Sequence, residues 1–257
     1  MFDKFLSKVG IGAAKLDTVL SNPEVMRGEF LTGEIRMVGG KTAQKIKQVY
    51  LELYCNYQVE YENDYGDEHE STSSFVLHRL NIAEAFTLEA GEEAIWDFEI
   101  EVPLYTPITM DYPNVWLRTG LDVSWAWDPK DNDAVCVLAD PASERILAAA
   151  EALGFEHAHD SGRCFQMPNP YGAPYVQEFV FHGRGKLASR VEELEMLIAA
   201  DNELAEVVME VDRRNHGMGG WIADEMDLDE HKLKFSLSHE QAFSPQDLEG
   251  IILEALG

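Results

Sequence analysis

Between residues 48 and 62 every odd position from 49 to 61 is apolar, through Val49, Leu51, Leu53, Cys55, Tyr57, Val59 and Tyr61. The residues between them include Gln48, Glu52, Asn56, Gln58, Glu60 and Glu62, all polar. A period of two places one set on a core face and the other in water, and no helix sorts side chains in that way. This stretch therefore predicts one long, half-buried strand.

The same pattern recurs at Leu31, Ile35 and Met37, at Trp96, Phe98, Ile100 and Val102, and at Val115, Leu117, Leu121, Val123, Trp125 and Trp127. Turn chemistry separates these runs: Gly39-Gly40 before the long strand, a polar loop over 63–74 after it, and Gly91-Glu92. The first half reads as an antiparallel β-sandwich. The charged, proline-containing stretch 128–133 follows the tryptophan-rich strand and is the natural place for a junction between domains. The expected division is 1–130 and 131–257.

The second half opens on a helix with readable ends. Asp140 is its N-cap, Pro141 its first turn and Gly154 its stop, with Ile146, Leu147, Ala150 and Leu153 on one face. Strands return at 176–181, at Val207, Met209 and Val211, and at Leu233, Phe235 and Leu237, with Asp201-Asn202 as a hairpin turn. A short terminal helix begins at Ser244-Pro245. The fold class expected is mainly β: two domains of sandwich type with few helices, one near 141–153 and one at the C-terminus.

Charge narrows the partners. The chain carries 47 Asp and Glu against 20 Lys and Arg, a formal charge of −27, and the excess is shared evenly, −13 over 1–135 and −14 over 136–257. Two acidic bodies fit this better than a neutral domain with an acidic tail. Such a surface repels phosphate backbones and anionic headgroups, so nucleic acid is not an expected partner. Cys55, Cys136 and Cys164 are odd in number and widely spaced, which suits a reducing compartment rather than a disulfide framework. The apolar stretch 9–14 is too short for a signal core, and no run approaches the roughly 18 to 20 apolar residues needed to cross a bilayer. The expected localisation is cytoplasmic.

Motifs for chemistry mostly fail on inspection. Gly40-Lys41-Thr42 ends like a phosphate loop, but Ile35 stands where the first glycine is required. Gly183-Arg184-Gly185-Lys186-Leu187-Ala188 matches a dinucleotide fingerprint, yet a hairpin at Asp201-Asn202 and the roughly 75 residues remaining favour a structural turn. Glu156, His157, His159, Asp160 and Cys164 form a candidate metal cluster, as do Asp224, Asp227, Asp229 and His231, without the spacing of a known zinc or calcium loop. Asp128, Asp131 and Asp133 are the strongest alternative, a carboxylate group at one end of a sandwich suited to calcium. No nucleophile elbow occurs, and no catalytic residues or cofactor are expected.

Local exceptions to the acidity are the better leads. Lys41, Lys45 and Lys47 enter the long strand, and Arg213 and Arg214 end a later one; each is a docking point for an acidic partner or the positive half of internal ion pairs. Trp125 and Trp127 share the core parity of their strand, whereas Trp116 falls on the opposite one. Lys41, Lys45, Lys47, Trp116, Arg213 and Arg214 are thus the candidate protein-binding residues.

Several segments resemble one family. These are Phe5-Leu6 with 9–18, Gly39-Gly40-Lys41, Val49-Tyr50-Leu51-Glu52-Leu53, Ala85-Phe86-Thr87-Leu88 with Gly91-Glu92-Glu93, Pro107-Ile108-Thr109 and the run 115–123. With Gln177-Glu178-Phe179-Val180-Phe181, Val191-Glu192-Glu193-Leu194-Glu195 and Glu210-Val211-Asp212-Arg213-Arg214, they resemble the bacterial sporulation-control family of the stage zero M type, an arrestin-like one. The resemblance implies an arrestin-type sandwich followed by a second β-rich domain. It also implies a non-catalytic, cytoplasmic regulatory or scaffold role exercised through protein partners, with self-association left open. Metal-dependent binding and, behind it, nucleotide-dependent catalysis are the alternatives.

Overall fold

The computed structural model describes residues 14–62, 67–111, 114–123, 130–213 and 232–256. Within them, the residues of Met1–Asn56 and Ser74–Leu138 form one compact unit and those of Tyr57–Ser73 and Ala139–Gly257 a second.

The first unit contains strands β1 (Lys15–Leu20), β2 (Glu24–Met26), β3 (Phe30–Val38), β4 (Gln44–Glu62), β5 (Glu68–Ala83), β6 (Phe86–Leu88), β7 (Glu93–Glu101), β8 (Val115–Val123), β9 (Lys130–Ala134) and β10 (Cys136–Leu138), the distal ends of β4 and β5 belonging to the second unit. One sheet runs β1-β3-β7, all antiparallel. The other is centred on β4, with β8 and then β9 on one edge and β5 and β6 on the other. A short parallel pair, β2 with β10, stands apart.

The alternation at 49–61 builds this sandwich. Val49, Leu51, Leu53 and Cys55 are fully buried, as are Leu31, Ile35, Met37 and Ile100 of the other sheet, and Val115, Leu117 and Leu121 of β8 share the buried face of β4. Each such aliphatic side chain contributes about 1.5–3 kcal/mol through its removal from water. Thr18 and Thr119 join β1 to β8 through a buried hydroxyl–hydroxyl contact of 2.6 Å.

A stretch read as a loop and one read as a domain junction both contain strands. The region after the long strand is β5 from Glu68 onward, and the stretch around Asp131 is β9, paired with β8 from Gly120↔Lys130 to Trp116↔Ala134. Polar, charged residues mask both from a periodicity argument, because a strand with mostly exposed side chains has no apolar parity to display. Trp125, Trp127 and Asp128 lie outside the described residues.

In the second unit α1 (Pro141–Ala152) begins as expected: the Asp140 carboxylate accepts the Ala142 and Ser143 N–H groups at 3.1 and 3.0 Å. Then follow β11 (Phe155–His157), β12 (Cys164–Gln166), β13 (Tyr175–Gly183), β14 (Val191–Ala200), β15 (Leu204–Arg213), β16 (Lys232–Ser238) and α2 (Pro245–Leu256). The last four strands form an antiparallel sheet in the order β16-β15-β14-β13, with β11 and β12 both on the free edge of β13. Tyr175, Phe179, Phe181, Leu194, Met196, Val207 and Met209 fill one face, and α1 and α2, packed on each other and on β15, supply the second layer. No helix among the described residues is long and apolar enough to cross a membrane.

Candidate functional site

Cross-strand neighbours share a face, so the register of β4 with β8 decides what meets on the outer side of the sandwich. Tyr54 lies opposite Trp116, Glu52 opposite Arg118, Tyr50 opposite Gly120 and Gln48 opposite Asp122. Trp116 stacks on Tyr54 with ring centroids 5.8 Å apart. Arg118 lies 4.3 Å from the Tyr54 ring centroid, and Arg79, reaching over from β5, lies 4.5 Å from that of Tyr50. Glu52 ties the two together, accepting from Arg79 at 2.9 Å and from Arg118 at 3.3 Å.

Glu52 is only 8% exposed, although alternation alone places it in water. A carboxylate so enclosed depends on its two guanidiniums, and in turn it anchors them over the tyrosines. Gly120 makes the arrangement fit: a Cβ there would sit 2.4 Å from Tyr50 Cζ and 2.5 Å from its hydroxyl. The ring therefore lies across the bare backbone of β8.

Lysines complete this face. A register shift between Ile46 and Gln48 lets Lys45 and Lys47 both stand exposed on the outer side, where Lys47 pairs with Asp122 at 3.1 Å. Lys130 of β9 sits beside Gly120. Of the sequence candidates, Lys45, Lys47 and Trp116 thus meet on one surface, while Lys41 stands exposed in the turn before β4. Arg213 ends β15 in the other unit, and Arg214 lies outside the described residues. Sequence reasoning missed Arg79, Arg118 and Glu52. Their meeting is a matter of register, and the one local trace was Gly120 within an apolar strand.

The acidic candidates are arranged differently. Asp131 accepts the Thr18 N–H at 2.8 Å, and burial, then the charges of Asp131 and Asp17, push Asp133 up to about 7. Among the described residues no three His, Cys, Asp or Glu side chains gather so as to hold a metal ion, and Asp128, Asp224, Asp227, Asp229 and His231 lie outside them. His157 instead packs on Phe181, with ring centroids 4.1 Å apart, and its Nδ1 is 2.9 Å from Ser161 Oγ. That hydroxyl accepts the Val180 N–H at 3.0 Å, completing the edge of β13.

The dinucleotide fingerprint is a turn. After Gly185 comes one 3₁₀ turn, Lys186–Ser189, and then β14 antiparallel to β13, so the helix whose N-terminus would receive a pyrophosphate is absent there. Gly185 and Gly154 instead let their backbones approach closely, since a Cβ on Gly154 would lie 2.6 Å from Gly185 Cα.

A sandwich followed by a helix-backed sheet is the class of architecture that the resemblance to an arrestin-like family implies. The model of the Spo0M family (SpoOM protein) matches residues 2–215, and the chain belongs to that family. It is 33% identical over 257 residues to the sporulation-control protein spo0M of Bacillus subtilis (strain 168), covering 99% of this chain and 97% of that one. The crystal structure of Spo0M from Bacillus subtilis superposes with a TM-score of 0.79, covering 96% of this chain and 98% of the other. The mainly β fold expected from the residues, and the arrestin-like one implied by the resemblance, is therefore the fold of the family.

Proposed function

We propose that this chain is a regulatory protein of sporulation control that acts in the cytoplasm through contacts with other proteins and without catalysis. The observation that carries this reading is identity of 33% along almost the whole length of a sporulation-control protein, rather than over one module. The polar groups favour contact over chemistry as well. Tyrosine, tryptophan and arginine, the residue types that dominate binding energy at interfaces, are concentrated on the outer face of β4 and β8.

Complementation tests the proposal. Expressed in a Bacillus subtilis strain that lacks its own spo0M, the chain is expected to return sporulation frequency toward that of the parent strain. A well-expressed, folded chain that leaves the defect unchanged would overturn it.

A further inference from the structure

We propose that the outer face of β4 and β8, with Arg79 and Lys130 at its margins, is a docking surface for an acidic polypeptide segment of a protein partner. This rests on the regulatory reading above and names the chemistry of the partner.

The charge distribution carries the argument. The whole chain has 20 Lys and Arg, and five of them, Lys45, Lys47, Arg79, Arg118 and Lys130, converge on this one sheet face. Over the stretch of β4 paired with β8, Glu52 and Asp122 stand against them, and Glu60 and Glu62 follow on the same parity only beyond it. A local positive excess in a chain of formal charge −27 is complementary to carboxylates and to little else on the protein's own surface.

The guanidiniums are also pre-set. Each is held over a tyrosine ring and anchored by the same buried carboxylate, so binding immobilises little that is not already fixed. Arg79 keeps half of its side chain exposed and Arg118 keeps 29%, which leaves N–H groups free to face an incoming carboxylate.

A single-stranded nucleic acid, the other anionic polymer, fits less well. Bases bind such proteins by stacking on open aromatic faces. Here the Tyr50 and Tyr54 rings already carry guanidiniums, and the global charge repels a phosphate chain.

Selection from a phage-displayed random dodecapeptide library on the full-length chain, with an oligouridylate titration beside it, tests the proposal. Two variants serve for counter-selection. Arg79→Gln/Arg118→Gln removes the anchored pair. Lys47→Glu/Lys130→Glu leaves the Glu52 trio intact, so its loss of binding cannot be blamed on a disturbed core. Enriched peptides are expected to be rich in Asp and Glu, and their synthetic forms to bind each variant at least about tenfold more weakly than the parent chain. Peptides without acidic bias, equal affinity for the variants, or oligouridylate binding as strong as that of the peptides would overturn it. Failure here with successful complementation removes only the docking assignment, whereas failed complementation removes the regulatory reading itself.

Discussion

A carboxylate withdrawn from water among other carboxylates holds its proton to a higher pH, and Glu178 and Glu195 do so on the sheet face away from the helices. Burial first, then Asp160, Glu193 and Glu210, bring Glu178 up to about 7. Glu195 is pushed higher still by burial and then by Glu178. In the unfolded chain both ionise near 4.5. Above that pH the unfolded state gives up protons that the folded state retains, so stability falls as pH rises toward and past 7. Replacing Glu195→Gln is accordingly expected to stabilise the protein by about 1–2 kcal/mol at pH 8, allowing for solvent screening, with the gain fading toward pH 4.5. Urea unfolding of both forms at two pH values checks this; a gap independent of pH would assign the effect to packing instead. Glu52 shows the opposite solution to enclosure, two guanidiniums in place of a proton. Nothing in its own neighbourhood of sequence distinguishes it from Glu60 on the same strand parity. The difference is made by Arg118, 66 residues away, and Arg79, 27 away, and for that reason the candidate surface was only half legible.

Elements whose local chemistry is self-contained were the legible ones. α1 carries its N-cap, its proline and its stop within 15 residues, and Gly154 takes the left-handed conformation (φ +89°) that ends the helix. Asp140 is 1% exposed and its carboxylate also lies 3.2 Å from His239 Nδ1, beyond the end of β16. Substituting Asp140→Ala is therefore expected to cost about 1–2 kcal/mol or more, while Asp140→Asn keeps most of the cap. Thermal unfolding of the pair separates the two; equal losses would show that the charge toward His239, and not the capping acceptor, is what matters. β9 was illegible for the converse reason. Lys130, Asp131, Asn132, Asp133 and Ala134 contain no apolar alternation, and only pairing with β8 and the Thr18 N–H bond to Asp131 make them a strand.

At the scale of the whole molecule the charge of −27 sets the response to salt. Self-repulsion of this size opposes compaction, and at about 0.15 M salt screening sets in over roughly 8 Å. The melting temperature is expected to rise by several degrees between about 0.02 and 0.5 M sodium chloride. A fall would mean that attractive pairs such as Lys47–Asp122 outweigh the net repulsion. The chain order also has a consequence for synthesis. Residues 57–73 belong to the second unit, yet they are made before residues 74–138 of the first. At about 5–20 residues per second, the ribosome needs roughly 3–13 s to add the intervening segment. For at least that time the tips of β4 and β5, including Gln58 that will meet Phe165, stand finished without the rest of the second unit. The first unit can close during translation, but the second is assembled only as its last strand and helix emerge, so a stalled or truncated nascent chain presents an unpaired hairpin to the cell's chaperones and proteases.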